Sequence, residues 1–217
     1  MIDKSQIVDE IYGLVEQLPR FDSQTPAEEL PENGIYFFFE RGETVKWRGK
    51  VVDRIVRVGT HMKDGRFKKR IRQHYGNVKS LHGNKNGSVF RRVLGGALLR
   101  KDDPNDPRLK DWETQGGPSF AEVEERTSQV LRSNFTFCCL RVDSGEERKN
   151  LESGLIGLLA QHPLAKFSEE WLGKYAASEE IKRTGLWNTQ HVNGDPLLFE
   201  EFQRVGQLVE ETLIRKV

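Results

Sequence analysis

Cysteine is nearly missing from this chain: there are two among 217 residues, Cys138 and Cys139, side by side. Adjacent strand positions point to opposite faces, so the pair excludes a disulfide framework and a zinc site, and both are expected as small packing residues in a reduced protein. No apolar run approaches the roughly 18 residues that span a bilayer, which excludes a membrane-embedded helix. The opening Met1-Ile2-Asp3-Lys4-Ser5 has neither the basic patch nor the apolar core of a secretory signal, so a cytoplasmic location is expected. Internal repeats and low-complexity stretches are absent too. With 31% charged and 36% hydrophobic residues, the composition describes a soluble globular protein, long enough for one filled core.

Acidic residues are scarce in one place. Residues 41–101 hold 18 Lys and Arg against three acids (Glu43, Asp53, Asp64), leaving 16 basic against 30 acidic residues elsewhere, under a formal net charge of only +1. Such a block suits a polyphosphate partner, because each neutralised phosphate releases counterions and adds sequence-independent affinity. Lys68, Lys69, Arg72, Arg91 and Arg92 are the candidate backbone-tracking cations. DNA is the expected partner, although nothing in the composition separates it from RNA, and no base-reading pattern stands out among these residues.

Hydrophobic spacing supplies the elements. Ile7, Ile11, Leu14, Val15 and Leu18 predict an amphipathic helix within residues 2–18, followed by a linker over 19–31. Residues 34–40 read as a strand, 41–43 as a turn, and 44–59 as the returning strand region, interrupted near Gly49. Asp64 is expected to cap a helix that runs through Tyr75 and stops at Gly76, with Phe67 and Ile71 inward and Arg70 and His74 on another stripe. Ser88 opens a further helix, and residues 101–118 read as a surface loop. Ser119 with Glu122, and Ser144 with Glu147, form capping-box patterns before two helices separated by a strand over 135–142. Short helices are expected over 168–176 and 178–184, and Asp195-Pro196 marks the start of a closing helix. The expected class is α+β, a small three-stranded, mainly antiparallel sheet flanked by helices. Its expected organisation is an N-terminal helix and linker (1–32), a core (33–166) and a C-terminal helical extension packed on the same domain (167–217).

Four short stretches carry chemistry: Gly34-Ile35-Tyr36, Val56-Arg57-Val58-Gly59, Arg70 with His74 four later, and Leu151-Glu152-Ser153-Gly154-Leu155-Ile156 with Pro163 beyond. In this order they resemble the GIY-YIG nuclease superfamily, which includes homing endonucleases, some restriction enzymes and the incising subunit of bacterial nucleotide excision repair. The resemblance covers residues 33–166. It implies that Lys68 to His74 is the helix carrying the family's arginine and its following His or Tyr, and that Glu152 is the ligand for Mg²⁺ or Mn²⁺. Arg57 stands where the second motif has its tyrosine, and Leu164-Ala165-Lys166 follows Pro163 where the family has an asparagine.

Hydrolysing a phosphodiester requires activating water, neutralising charge at phosphorus and stabilising the leaving oxygen. Tyr36 is the candidate base, provided an Arg or a metal-bound water favours the phenolate. Arg70 can hold phosphate oxygens in a bidentate manner, and His74, one turn on, can bond the phosphate or the water. Glu152 is the hard oxygen ligand, since magnesium keeps most of its waters and needs only one or two carboxylates. Arg57 would supply fixed charge in place of the tyrosine, with His61 sharing the proton transfer. The expectation is a metal-dependent DNA endonuclease of restriction, phage-defence or repair type. Its rivals are a nuclease scaffold that binds nucleic acid without cutting, and an interaction protein whose acidic helices dock a partner.

Overall fold

The computed structural model describes residues 3–215; Met1 and Ile2, the start of the first expected helix, lie outside the described residues, as do residues 216–217. The elements are α1 (Lys4–Val15), β1 (Gly34–Trp47), β2 (Lys50–Gly59), α2 (Phe67–Tyr75), α3 (Val89–Asp102), α4 (Leu109–Glu113), α5 (Ala121–Asn134), β3 (Phe135–Arg141), α6 (Gly145–Gln161), α7 (Glu179–Thr184) and α8 (Phe199–Ile214). The three strands form one antiparallel sheet in the order β2-β1-β3, so the fold is α+β.

The hairpin turns later than the sequence suggests. Trp47 pairs with Lys50, which leaves Arg48 and Gly49 as a two-residue turn with φ of 45° and 79°. Positive φ at both central positions is the type I′ geometry that matches strand twist. Residues 41–43, expected as the turn, instead continue β1 across a shift in register.

A second irregularity matters more. Phe38 pairs with Arg57 but Phe39 pairs with Ile55, so Val56 is an extra residue on β2. In such a bulge two consecutive side chains can share a face. Val56 packs with Tyr36 and Phe38, Ile55 and Val58 pack with Ile35, Phe37 and Phe39 on the opposite side, and the Arg57 guanidinium lies 4.9 Å from the centre of the Phe90 ring. The bulge thereby turns Arg57 onto the Tyr36 face.

Helix starts follow capping chemistry where a hydroxyl reaches the backbone. The Ser88 and Ser144 hydroxyls accept from the Arg91 and Glu147 N–H groups, each at 3.3 Å, as N-caps do. Asp64 does not cap α2, which begins after Arg66; its carboxylate accepts from Arg148 at 2.6 Å. Ser119 also fails as a cap, because its hydroxyl donates to Glu124 at 2.9 Å. The 101–118 loop contains α4, formed around the buried Trp112. Of the two short helices, the first is only a 3₁₀ turn over Leu172–Tyr175. The closing helix starts at Phe199, since the Leu197 N–H is drawn to the Gly154 carbonyl at 2.9 Å.

Residues 167–188 are stitched into the core. Trp171 and Trp187 are buried in the cluster that holds Tyr36 and Phe38, and their indole N–H groups donate to the Glu40 carboxylate at 3.0 and 2.9 Å. Burial pushes the Glu40 pKa up to about 7, although the two indole donors oppose it. Beside it Arg54 donates to Glu43 at 2.7 Å and to the Gly185 carbonyl at 2.7 Å.

Candidate active site

Tyr36 stands on the central strand opposite Gly59. A Cβ at position 59 would sit 2.2 Å from the phenol oxygen, so glycine is what lets the phenol lie across the end of β2. The phenol oxygen is 2.9 Å from Nε2 of His74, whose Nδ1 is 2.9 Å from the Ser88 hydroxyl. His74, expected with Arg70 on a stripe of α2 apart from the inward Phe67 and Ile71, is fully buried, edge-on to the rings of Tyr36, Phe38 and Phe90. Burial pushes its pKa well below the ordinary imidazole value, with the Arg70, Arg57 and Arg91 charges adding to the effect. It is therefore neutral at physiological pH.

Arg57 donates to the Trp187 carbonyl. Its Nε is buried without a partner. Burial lowers the Arg57 pKa, and the adjacent Tyr36 opposes that shift. Such an orphaned charged donor is costly unless an anionic acceptor arrives. Arg70 donates one bond to the Gly87 carbonyl at 2.9 Å and lines the cleft in front of Tyr36.

Glu152 lies inside α6. Its Oε1 accepts from the Thr60 N–H at 3.0 Å. Burial raises its pKa, while the Arg57 charge, that N–H, and the His191 and Arg70 charges oppose the rise. No group of three or more His, Cys, Asp or Glu side chains arranged for a metal occurs among the described residues. A single carboxylate with unused lone pairs on a cleft wall fits a largely hydrated Mg²⁺ or Mn²⁺, and does not fit a tightly caged cation.

His61 is more constrained than its sequence neighbourhood implies. Its Nδ1 lies 2.7 Å from the Lys63 carbonyl and its Nε2 accepts from the Gly34 N–H at 3.2 Å. Both ring nitrogens are engaged by backbone, and burial lowers its pKa.

Tyr36, Arg57, His61, Arg70 and Glu152 line one cleft of about 820 Å³, with His74 directly behind Tyr36. A larger hollow of about 980 Å³ lies on the other side of α2 and contains none of these five residues; the candidate residues gather in the smaller one. Among the candidate cations, Lys69 lines both spaces and Arg72 the larger one. Lys68 is paired with Glu32 at 2.7 Å. Arg91 corrects the sequence reading: it is fully buried, bound to Glu124 at 2.6 Å and to the His74 carbonyl at 2.9 Å, and so buttresses the end of α2. Arg92 is half-buried and lines neither space. Four cations of the basic block, Arg54, Arg57, Lys85 and Arg91, are inside the protein; of the exposed ones, Lys63, Arg66 and Lys69 line the cleft and Arg72 the larger hollow.

The far wall of the cleft was not apparent from the sequence. Trp187 and Asn188 extend the edge of β2: the Trp187 N–H donates to the Val56 carbonyl at 2.7 Å, and the Asn188 side chain both accepts from the Val58 N–H at 3.1 Å and donates to its carbonyl at 2.9 Å. This anchors Thr189, Gln190 and His191 along the cleft. The pairing spans 130 residues, and no local pattern announces it.

A sheet end that gathers a phenol, two guanidiniums and a carboxylate in a cleft edged with lysine has the parts of a phosphodiester-hydrolysing site. The chain belongs to the GIY-YIG domain family, whose model matches residues 3–212. That membership indicates a nuclease-type function with nucleic acid as the substrate class. No curated protein and no solved structure matches it significantly. Among the described residues no helix is long and apolar enough to cross a membrane.

Proposed function

We propose that this protein is a divalent-metal-dependent endonuclease that hydrolyses phosphodiester bonds in DNA. The observation that carries the reading is the convergence of Tyr36, Arg57, Arg70 and Glu152, from β1, β2, α2 and α6, on one cleft. In this reading Tyr36, as phenolate, takes the proton of the attacking water. Arg57 and Arg70 hold the phosphate oxygens, and the unpaired Arg57 Nε gains the anionic acceptor it lacks. Fixed donors aimed at developing charge in a partly dry cleft are worth more than the same groups in water. Glu152 would hold Mg²⁺ or Mn²⁺, which supplies charge neutralisation and a more acidic bound water. His61, with both nitrogens occupied by backbone, shapes the wall, and the base role rests with Tyr36.

The guanidinium where the family has a second tyrosine leaves a binding-only scaffold as the competing reading. Nicking of supercoiled plasmid decides between them. We expect cleavage with Mg²⁺ or Mn²⁺, none in excess EDTA, and loss of cleavage with retained DNA affinity in Glu152→Gln. Undiminished metal-dependent cutting by Glu152→Gln would remove the metal assignment, and DNA binding by wild type without cutting would favour the scaffold.

A further inference from the structure

The Ser88–His74–Tyr36 chain has a direction. Ser88 is 1% exposed, and its hydroxyl already accepts from the Arg91 N–H at 3.3 Å. A hydroxyl has one proton to give, and a buried one needs an acceptor. Among the described residues the acceptor within reach is Nδ1 of His74, at 2.9 Å. His74 is buried and neutral, so it carries a single ring proton. If Nδ1 accepts, that proton is on Nε2, which lies 2.9 Å from the Tyr36 oxygen. The opposite tautomer would leave the Ser88 proton facing the Nδ1 proton with nowhere to go.

We propose that Ser88 is a positioning residue that locks His74 as its Nε2–H tautomer, so that His74 donates to Tyr36 and does not take its proton. The phenol then turns its own O–H away from the imidazole and toward the cleft that Tyr36 lines. Once that proton leaves to solvent, the phenolate is held by the His74 N–H with the Arg57 charge beside it. In catalysis, and here the inference rests on the nuclease reading, the phenolate accepts a proton from water as the water oxygen bonds to phosphorus. The departing sugar oxygen breaks from phosphorus and is protonated by solvent. His74 stays neutral throughout. The surrounding cage fits this fixed role: three aromatic rings stand edge-on to the imidazole, and the Arg91 guanidinium pins the His74 carbonyl at 2.9 Å.

The tautomer can be read without any activity. In protein labelled with ¹⁵N-histidine, long-range proton–nitrogen spectra distinguish a protonated ring nitrogen from a bare one. We expect His74, assigned by its loss in a His74→Gln sample, to show a protonated Nε2 and a bare Nδ1 that persist from pH 7 to pH 9. A bare Nε2, which would make the phenol the donor, or a ring that gains a second proton within that range, which would leave Nδ1 unable to accept from Ser88, overturns the proposal. Ser88→Ala should give mixed tautomers and lower the single-turnover cleavage rate about tenfold or more at unchanged KM. Ser88→Thr, which keeps both cap and hydroxyl, should restore both. An unaltered spectrum in folded Ser88→Ala also overturns it. If wild type cuts nothing, the spectra still decide the tautomer, so failure of the nuclease reading and failure of this one remain separate.

Discussion

The two faces of the sheet are written by alternate residues of the same strand and are built to different rules. On one, Ile35, Phe37 and Phe39 meet α1, α6 and α8 in a core of aliphatic side chains. On the other, Tyr36 and Phe38 meet aromatic rings, and the space behind them holds His74, Arg57, Arg91 and Glu124, all buried. The first face needs only area and fit. The second buries charges and polar atoms, each of which has to be met by a named partner or remain available for a ligand. Glu152 reaches that second site from an α6 whose remaining turns pack on the first face. Scaffold and proposed site are thus separated by strand parity, with the bulge at Val56 and Arg57 and the turn of α6 as the places where the separation is crossed.

Substitutions on the two faces should therefore fail in different ways. Short of the abolished cleavage expected for Glu152→Gln and Tyr36→Phe, the largest effect on rate is expected from Arg57→Met, which keeps volume but removes the charge: cleavage should fall by about 10²–10³-fold, the usual scale for a lost charge-stabilising donor, measured in single turnover. An unaltered rate would make Arg57 a core residue. On the aliphatic face, Leu155→Ala should cost about 2–5 kcal/mol in denaturant unfolding, with the cleavage rate per folded molecule preserved. A specific rate loss there would break the division of labour.

Glu40 gives a pH test of the polar face. Its folded pKa of about 7 lies above the ordinary carboxylate value, so the folded state binds this proton more tightly than the unfolded chain does. Its contribution is fully present below pH ~4.5 and is lost as pH rises through about 7, a change of about 3 kcal/mol at 1.36 kcal/mol per unit. Unfolding free energies of wild type and Glu40→Gln should converge at low pH, with the variant relatively more stable near pH 8. Parallel profiles would contradict the assignment. Smallest in energy, reversing Lys68, Lys69 and Arg72 to Glu should weaken DNA binding about equally across sequences and lower the salt slope, by about 0.9 for each phosphate that is no longer neutralised. Lys68, already paired with Glu32, should contribute least when reversed alone.

Much of this was legible beforehand, for physical reasons. The three strands, α3 and α6 follow hydrophobic spacing and serine caps, which are local signals, and the series of Tyr36, Arg70 and Glu152 could be ordered from motifs alone. Three features were not legible. Whether a basic residue is inside or outside depends on distant partners: Arg91 is neutralised by Glu124, 33 residues on, and Arg54 by Glu43 across the hairpin. A bulge leaves no mark in composition, so the facing of Arg57 could not be inferred. The Asn188 wall depends on a side chain imitating a strand, which only tertiary contact selects.

Nicking of supercoiled plasmid in Mg²⁺ by wild type and by Tyr36→Phe, which deletes one oxygen from the ring, decides whether the Tyr36 side of the sheet performs the proposed metal-dependent phosphodiester hydrolysis. Wild type should nick and Tyr36→Phe should not, while binding DNA with unaltered affinity. Equal nicking by both proteins would contradict the claim.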